Sequence, residues 1–388
     1  MTPDQALDDL ERRGLLRSLK PLPDNRGRLV IDGETWLNFS SNDYLDLGHH
    51  PALIAASVHA VEALGCSSAG SRLVSGHLEL HAEFEAAAAD LIGTEAALLF
   101  GSGFLTNLGV VPALVGDHGT IFCDRLNHAS LIDGIRMSGA KWHRYRHNDT
   151  AHLDDLLAKH PAVDGAPRLV ISDSIFSMDG DIAPLAEIAA VAKRHGALLL
   201  IDESHAIGVI GPNGAGLCAE LGLKPDAITC GMGKAFGGYG GFVATSKTLA
   251  ALIVNRARSF IYSTGLPPAC VGAGIAALDM FVATKGALGA DVMARSRRMH
   301  GLLADAGFPM PEFSSPILPV MVGDNHVAQA FAQRLAARRI LCSAIRPPTV
   351  PPGTARLRLT VTRGHEDADL LAAVDAFAEV GRDLGVLK

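Results

Sequence analysis

Short apolar runs alternate with helical stretches through most of the chain, and this pattern constrains the fold more than any other feature. Glycine or aspartate bounds each run, and the runs cover residues 97–100, 120–123, 169–172, 197–201, 227–230 and 241–244. Helical stretches such as residues 80–91 separate them. Continuous apolar strands between helices are typical of a mostly parallel sheet with both faces covered. The sequence therefore predicts an α/β fold with a large doubly wound domain.

The pattern changes after about residue 285, where strands and helices suggest a second, smaller domain. We predict strands at 316–322 and 356–361 and helices at 326–338 and 367–384. Residues 356–361 alternate arginine with leucine, which predicts a half-exposed strand in an antiparallel sheet. Residues 1–20 are predicted to form one helix. We expect an N-terminal helix and linker (1–45) that packs with the small domain, a large domain (46–285) and a small C-terminal α+β domain (286–388).

Composition and charge exclude several classes of protein. The chain has 388 residues and a net charge of −7, with no Lys/Arg run, which argues against nucleic-acid binding. No apolar run reaches the roughly 18 residues of a membrane span, and the polar N-terminus lacks the features of a signal peptide. The six cysteines are scattered without a C-x-x-C pair. We therefore expect a cytoplasmic protein with no structural metal and no membrane partner.

Three segments place polar residues directly after a predicted strand, where ligands bind in open parallel sheets. The first is Asp-Glu-Ser-His at residues 202–205. Taken alone, it could be a helix cap and a buried histidine. A metal pair is a further alternative, although no third ligand lies close in sequence and H-E-x-x-H is absent.

The second and third segments are rich in glycine. Lys234 lies in a turn, residues 229–238, that matches neither a P-loop nor G-x-G-x-x-G. A solvated loop lysine is the alternative there. Residues 100–106 run from a strand through Gly-Ser-Gly into a helix, whose first N–H groups can bind a phosphate.

Together the three segments match the needs of pyridoxal 5′-phosphate (PLP). This cofactor needs a phosphate seat, a lysine that holds it as a Schiff base and an acid beside its pyridine nitrogen. Asp202 is the predicted acid, because a nearby negative charge keeps that nitrogen protonated. Lys234 is the predicted Schiff-base lysine. Gly103 and Phe104 are predicted to offer backbone N–H groups to the phosphate.

Long ordered motifs carry a family resemblance from about residue 16 to the C-terminus. They are residues 40–45 (SSNDYL), 75–77 (SGH), 124–130 (DRLNHAS), 176–181 (FSMDGD), 202–205 (DESH) and 233–237 (GKAFG). With these motifs the chain resembles the α-oxoamine synthases, homodimeric PLP enzymes of the aspartate-aminotransferase fold (fold type I). Residues 344–351 (AIRPPTVP) and 353–360 (GTARLRLT) are similar to members that condense L-alanine with a pimeloyl thioester in biotin biosynthesis.

The resemblance implies further cofactor contacts. His205 would bind the phenolic oxygen of the ring, His128 would stack on the ring face, and Ser177 would contact the cofactor. Thr264 would reach the phosphate bound by the neighbouring subunit. Lys234 would also move the α-proton of alanine.

Substrate contacts are implied in the same way. Arg346 would hold the substrate carboxylate through a bidentate guanidinium contact. His128, Arg17 and Thr349 match substrate-contact positions of the family, and Asp173 matches an acid near the substrate pocket.

One position departs from the family pattern. The family has Thr or Ser shortly before the lysine as a phosphate contact, and the Thr position matches Gly231 here. Either the backbone or Thr229 supplies that contact, or the cofactor is held less tightly.

The resemblance predicts a PLP-dependent acyltransferase that joins L-alanine to a pimeloyl group carried on coenzyme A or on a carrier protein. Three alternatives stay open. They are another α-oxoamine synthase that uses glycine or serine with a different acyl-CoA, a PLP enzyme of another class such as an aminotransferase, and a PLP-fold protein without activity.

Overall fold

The computed structural model describes residues 2–388, and their contacts divide them into two compact units. The large unit comprises Leu47–Phe176 and Ile182–Ala290. The small unit comprises the residues up to Asp46, the loop Ser177–Asp181 and Asp291–Lys388. The small unit is thus discontinuous in sequence, because its loop Ser177–Asp181 separates the two segments of the large unit along the chain.

Fourteen α-helices form in the described residues. They are α1 Pro3–Arg12, α2 Pro51–Leu64, α3 Glu79–Ile92, α4 Gly103–Val115, α5 Ala129–Ser138, α6 Thr150–Lys159, α7 Leu185–Arg194, α8 Leu217–Glu220, α9 Lys247–Arg256, α10 Arg258–Ile261, α11 Pro268–Thr284, α12 Ala287–Asp305, α13 Asn325–Ala336 and α14 Asp367–Asp383.

Thirteen strands accompany them over the same residues. They are β1 Arg28–Ile31, β2 Glu34–Asn38, β3 Ala96–Phe100, β4 Thr120–Asp124, β5 Lys141–Tyr145, β6 Arg168–Asp173, β7 Leu198–Asp202, β8 Ala227–Gly231, β9 Gly241–Thr245, β10 Ile317–Gly323, β11 Ile340–Leu341, β12 Ser343–Ile345 and β13 Ala355–Thr360.

The large unit contains a seven-stranded sheet in the order β3-β9-β8-β7-β6-β4-β5. Strands β8, β7, β6, β4 and β5 run parallel, and β9 runs antiparallel to both β3 and β8. All six predicted apolar runs are strands of this sheet, which confirms the mostly parallel α/β fold. The prediction missed β5, because this edge strand (KWHRY) is rich in polar residues and lacks a continuous apolar run.

Parallel strands bring their carboxyl ends to one edge of the sheet. Strands β6 and β7 end in adjacent aspartates, with Asp173 opposite Asp202 in the register, and β8 ends beside them at Gly231. The strand interiors are apolar and fully buried, as in β8 and β9. Polar groups are thus concentrated at the carboxyl edge, where an open α/β sheet binds its ligands.

The small unit contains an antiparallel sheet of order β10-β13-β12 and a second sheet of order β1-β2-β11. Its core joins aromatic and aliphatic side chains of α12, α13, α14 and β13, among them Phe331, Leu359 and Phe377. The antiparallel character of the small domain is as the sequence predicts.

The predicted half-exposure of β13 is wrong, because every residue of the strand is buried. The strand lies between β10 and β12, and its arginines bind the inserted loop instead of facing solvent. Arg358 Nε donates to the carbonyl of Ser177 at 2.5 Å, and its Nη1 donates to Asn42 Oδ1 at 3.1 Å. Arg356 forms an ion pair with Asp179. Buried partners for a guanidinium cannot be read from an alternating pattern alone.

The N-terminal helix is also shorter than predicted. It ends at Arg12, not near residue 20, because Gly14 adopts a positive φ of +62° that reverses the chain. Leu15 is buried after this turn, whereas Leu19 is fully exposed. The leucine spacing therefore does not mark a continuous helix face.

No single helix among residues 2–388 has the length and apolar character needed to cross a membrane. Only α11 and α12 taken together pass on these two measures, and they are bent by 82° relative to each other.

We predict that Arg358→Met lowers the free energy of unfolding by about 2–4 kcal/mol, because it removes a buried guanidinium and leaves two partly buried oxygen acceptors without a donor. Urea-induced unfolding followed by circular dichroism measures the change. Arg334→Met is the matched control, since its side chain is 46% exposed, and it should stay within about 0.5 kcal/mol of the wild type. Equal losses in the two variants would contradict the buried role of Arg358.

Candidate active site

Lys234 lies in the tight turn that links β8 to β9. The backbone N–H of Met232 donates to the carbonyl of Gly240 at 3.0 Å, and the N–H of Gly237 donates to the carbonyl of Lys234 at 2.8 Å. The lysine is half-buried, and its charge acts on the nearby side chains of His128 and Asp173. Its amine therefore belongs to the carboxyl edge of the sheet.

Asp202 is a buried carboxylate with a fixed orientation. Its Oδ2 accepts a hydrogen bond from Asn107 Nδ2 at 2.7 Å, and its Oδ1 accepts one from the backbone N–H of Ser204 at 2.9 Å. It is 6% exposed at the end of β7. Two N–H donors therefore hold this carboxylate in one orientation at the carboxyl edge of the sheet.

Asn107 connects Asp202 to the histidine loop, and the sequence prediction missed it. Its Nδ2 also donates to Ser130 Oγ at 2.9 Å, and Ser130 Oγ shares a hydrogen bond of 2.8 Å with His128 Nδ1. In the sequence, Asn107 stands out as a single asparagine within the apolar helix α4. A buried polar side chain needs a partner, so this position could have been marked as part of a site.

His128 begins helix α5 and remains accessible to solvent at the carboxyl edge. Desolvation by the surrounding protein lowers the pKa of its imidazole, although the nearby Asp202 raises it in part. The imidazole is therefore favoured as a neutral ring at neutral pH. A neutral, flat, accessible ring is suited to stacking against an aromatic ligand.

Asp173 supports the loop that carries His128. Its Oδ2 accepts hydrogen bonds from Asn127 Nδ2 at 2.8 Å and from the backbone N–H of His128 at 3.0 Å. Burial, together with the neighbouring negative charge of Asp202, raises the pKa of Asp173 to about 7. These contacts make Asp173 a support for the histidine loop.

His205 and Glu203 occupy the segment after Asp202. His205 is 6% exposed. Glu203 is fully buried, and its two carboxylate oxygens accept the backbone N–H groups of Leu217 at 2.9 Å and Cys218 at 2.7 Å. Glu203 thereby fixes the start of α8 to the end of β7, and this contact restrains the segment that carries His205.

The N-terminus of α4 faces the same edge and can bind an anion. Ser102 caps this helix, with its Oγ accepting the N–H of Leu105 at 3.2 Å. Helix geometry leaves the N–H groups of Gly103 and Phe104 without an acceptor inside the helix. The helix dipole adds a partial positive charge at this end.

Three glycines allow α4 to approach the sheet closely. A Cβ atom on Gly103 would lie 2.7 Å from Gly231 Cα, and one on Gly241 would lie 2.6 Å from Gly103 Cα. Real Cβ atoms do not make contacts this short, so side chains are excluded at both positions. The glycines therefore let the N-terminus of α4 pack directly against the backbone of β8 and β9.

Thr264 lies on the exposed surface of the large unit. An isolated β-bridge joins it to Ser71 and so brings two loop segments together. Both segments carry exposed apolar side chains, with Val74 84% and Tyr262 71% exposed.

The remaining predicted site residues, Ser177, Arg17, Arg346 and Thr349, belong to the small unit. Arg346 Nη1 donates to the carbonyl of Gly14 at 2.6 Å, and Arg17 Nη2 donates to the carbonyl of Pro347 at 3.2 Å. Desolvation and the charge of Arg17 lower the pKa of Arg346. Arg346 Nε is buried and has no hydrogen-bond partner among the described residues, so it retains a donor for a ligand.

We predict that Asp173→Asn raises the thermal midpoint of unfolding at about pH 8 by roughly 2 °C or more. The folded-state pKa of Asp173, about 7, exceeds its ordinary value of 3.8, so ionisation of this residue destabilises the fold as the pH rises. The amide keeps an acceptor for Asn127 and His128. The gain in the thermal midpoint should shrink as the pH falls toward about 4, because the wild-type carboxyl is then protonated in the folded state and becomes protonated in the unfolded state as well.

The matched control for this pH series is Asp155→Asn, at an exposed position on α6, which should leave the midpoint unchanged at every pH. A gain in Asp173→Asn that grew toward low pH would contradict the account of the Asp173–Asp202 pair.

Comparisons with known proteins agree with this arrangement. The model of the family "Aminotransferase class I and II" matches residues 34–377. The chain is 44% identical, over 98% of its own length and 98% of the relative's, to an 8-amino-7-oxononanoate synthase of Geobacter sulfurreducens.

Two solved structures are similar over most of the chain. A lysine-to-alanine variant of serine palmitoyltransferase from S. paucimobilis, with a bound PLP–myriocin aldimine, has a TM-score of 0.91 at 30% identity and covers 99% of this chain and 98% of its own. An 8-amino-7-oxononanoate synthase from Francisella tularensis has a TM-score of 0.76 at 27% identity, covering 90% of this chain and 98% of its own. The fold is accordingly fold type I of the PLP-dependent enzymes. The chain belongs to the class I and II aminotransferase family and, within it, to the α-oxoamine synthases.

Proposed function

We propose that this protein is a PLP-dependent C-acyltransferase of biotin biosynthesis that condenses L-alanine with a pimeloyl thioester. The products are 8-amino-7-oxononanoate, carbon dioxide and the free thiol. The observation that carries the proposal is the grouping of Lys234, His128 and the hydrogen-bonded Asp202 at one edge of the sheet. The 44% identity with a relative named for this product supports the choice of substrates.

The residues at this edge fit the cofactor. A hydrogen-bonded acid, a half-buried lysine and a helix N-terminus that offers N–H groups are present together, and Gly103 and Gly241 allow that helix to lie close to the strand ends. When bound, pyridoxal phosphate supplies a carbonyl that joins the amino group of the substrate and a ring that accepts the electrons released at Cα.

Asp202 maintains the ring in its electron-accepting form. Its negative charge favours a proton on the pyridine nitrogen. The N–H donors from Asn107 and Ser204 hold the carboxylate in one orientation, so the protonated nitrogen needs no rearrangement to find it. His205 would hold the phenolic oxygen of the ring, and the neutral imidazole of His128 would stack on the ring face.

Lys234 moves the protons of the reaction. It holds the cofactor between turnovers. With the cofactor and alanine bound, its Nζ would accept the α-proton and later return a proton to the same carbon. The C–H bond and the bond to the carboxyl group of alanine break, one bond forms between Cα and the acyl carbon, and the C–S bond releases the thiol.

Substrate recognition is assigned to residues of the small unit, together with His128. Arg346 holds the carboxylate of the amino acid, where a planar guanidinium matches the two carboxylate oxygens. Arg17 and Thr349 make further substrate contacts, and Ser177 contacts the cofactor. The buried, unpartnered Nε of Arg346 supports this assignment.

The proposal includes a cytoplasmic homodimer. The exposed apolar side chains beside Thr264 suit a surface that a second subunit covers, so that Thr264 can contact the phosphate bound by its partner. The six cysteines are all free, which suits a reducing compartment.

The second candidate is an α-oxoamine synthase that takes glycine or serine with a different acyl thioester. The TM-score of 0.91 with serine palmitoyltransferase favours it, but the sequence identity is 30%, against 44% for the 8-amino-7-oxononanoate synthase. The fold and the proton-transfer roles are the same in the two candidates, so only the substrates separate them.

Thiol release from the PLP-loaded protein tests the proposal. L-alanine, glycine and L-serine are combined in turn with pimeloyl-, acetyl-, succinyl- and palmitoyl-CoA, and with pimeloyl carrier protein. We expect release only with L-alanine and a pimeloyl donor, and a loss of at least about 100-fold in Lys234→Ala because the proton acceptor is gone.

The control for this assay is Lys247→Ala, at an exposed position on α9, which should keep the wild-type rate. Thiol release with glycine or serine would assign the second candidate function to the protein. Full activity of Lys234→Ala would contradict the mechanism.

A further inference from the structure

The backbone at Gly231 is held by a serine from the neighbouring strand end. Ser204 Oγ accepts a hydrogen bond from the N–H of Gly231 at 2.8 Å, and Ser204 is 9% exposed. Residue 231 has no side chain of its own to present to a ligand. The Ser204 hydroxyl is therefore the polar side-chain group fixed at this point of the site.

The space beside Gly231 is shared by three groups. A Cβ atom placed on Gly231 would lie 3.4 Å from Ser204 Oγ, 3.7 Å from Lys234 Nζ and 3.6 Å from Gly103 Cα. The serine hydroxyl thus lies beside the space between the lysine that holds the cofactor and the helix N-terminus that offers N–H groups to its phosphate. A side chain on residue 231 would project into this same space.

The hydrogen bond from the Gly231 N–H leaves the hydroxyl proton of Ser204 available as a donor. A hydroxyl that accepts through its oxygen keeps its own proton for another partner. The N–H of Gly231 fixes the oxygen, so the remaining O–H can be directed at an anion at little entropic cost. Hydrogen bonds to charged groups are the stronger class.

We propose that Ser204 is a further cofactor-binding residue, whose hydroxyl, oriented by the N–H of Gly231, donates to the phosphate of pyridoxal phosphate. Ser204 and Gly231 then act as one unit, in which the serine supplies the donor that residue 231 lacks. This inference rests on the proposed function, because it assumes the same cofactor.

Thr229 is the competing donor. Its Oγ1 is buried and has no hydrogen-bond partner among the described residues, and its side chain is 1% exposed. Thr229 lies within β8, opposite Asp202 in the register, whereas the Ser204 hydroxyl contacts the strand end beside Gly103. The position of Ser204 favours it over Thr229.

The test compares two ligands that differ only in the phosphate. The full chain and its variants, freed of cofactor, are dialysed to equilibrium against known concentrations of pyridoxal phosphate or of pyridoxal. We expect Ser204→Ala to weaken the binding of pyridoxal phosphate about tenfold, as the loss of one charge-assisted hydrogen bond should. The binding of pyridoxal should change less than twofold.

A double substitution provides the rescue. A Cβ on Gly231 meets its neighbours at ordinary contact distances, so Gly231→Ser is sterically allowed. Gly231→Ser in the Ser204→Ala background should restore most of the lost affinity for pyridoxal phosphate. Thr229→Val, the matched removal of the competing hydroxyl, should leave the preference for the phosphorylated ligand unchanged.

Equal loss of both ligands in Ser204→Ala would overturn the proposal, because the serine would then only support the strand end. A selective loss of pyridoxal phosphate in Thr229→Val but not in Ser204→Ala would assign the contact to Thr229. Failure of the wild type to bind pyridoxal phosphate would instead contradict the proposed function itself.

Discussion

The hydrogen bond between Asn107 and Asp202 is the constraint on which the proposed site depends. Its length is 2.7 Å, and it joins the end of β7 to helix α4. Asn107 lies four residues after Gly103, so about 6 Å of one rigid helix separates the partner of the ring acid from the phosphate seat. A single helix thereby sets the distance between the two groups that are proposed to hold opposite ends of the cofactor.

The electrostatics of the site follow from placing two acids side by side. Asp173 and Asp202 are neighbours in the parallel register, and burial beside a second carboxylate raises the pKa of Asp173 to about 7. Asp173 offsets part of this cost by holding the loop of His128 through two N–H donors. The arrangement leaves Asp202, with its own donors, as the residue suited to carry the negative charge.

The strand periodicity predicted the sheet, and the polar residues after each strand predicted which edge carries the site. Lys234, Asp202 and His205 follow strands in sequence, so their grouping could be inferred. The hydrogen-bond partners of Asn107 and Ser204 could not be inferred, because they are set by helix packing and by strand ends that are distant in sequence. The buried β13 was misjudged for the same reason, since Arg358 finds its acceptors in a loop about 180 residues away.

The most direct measurement of the central claim is the protonation state of the pyridine nitrogen in the holoenzyme. Nitrogen-15 NMR of the protein loaded with ¹⁵N-labelled pyridoxal phosphate reports it through the chemical shift. The account predicts a protonated nitrogen in the wild type, and a shift toward the unprotonated value when Asn107→Ala removes a donor that holds Asp202 in place. An unprotonated nitrogen in the wild-type holoenzyme would contradict the role assigned to Asp202.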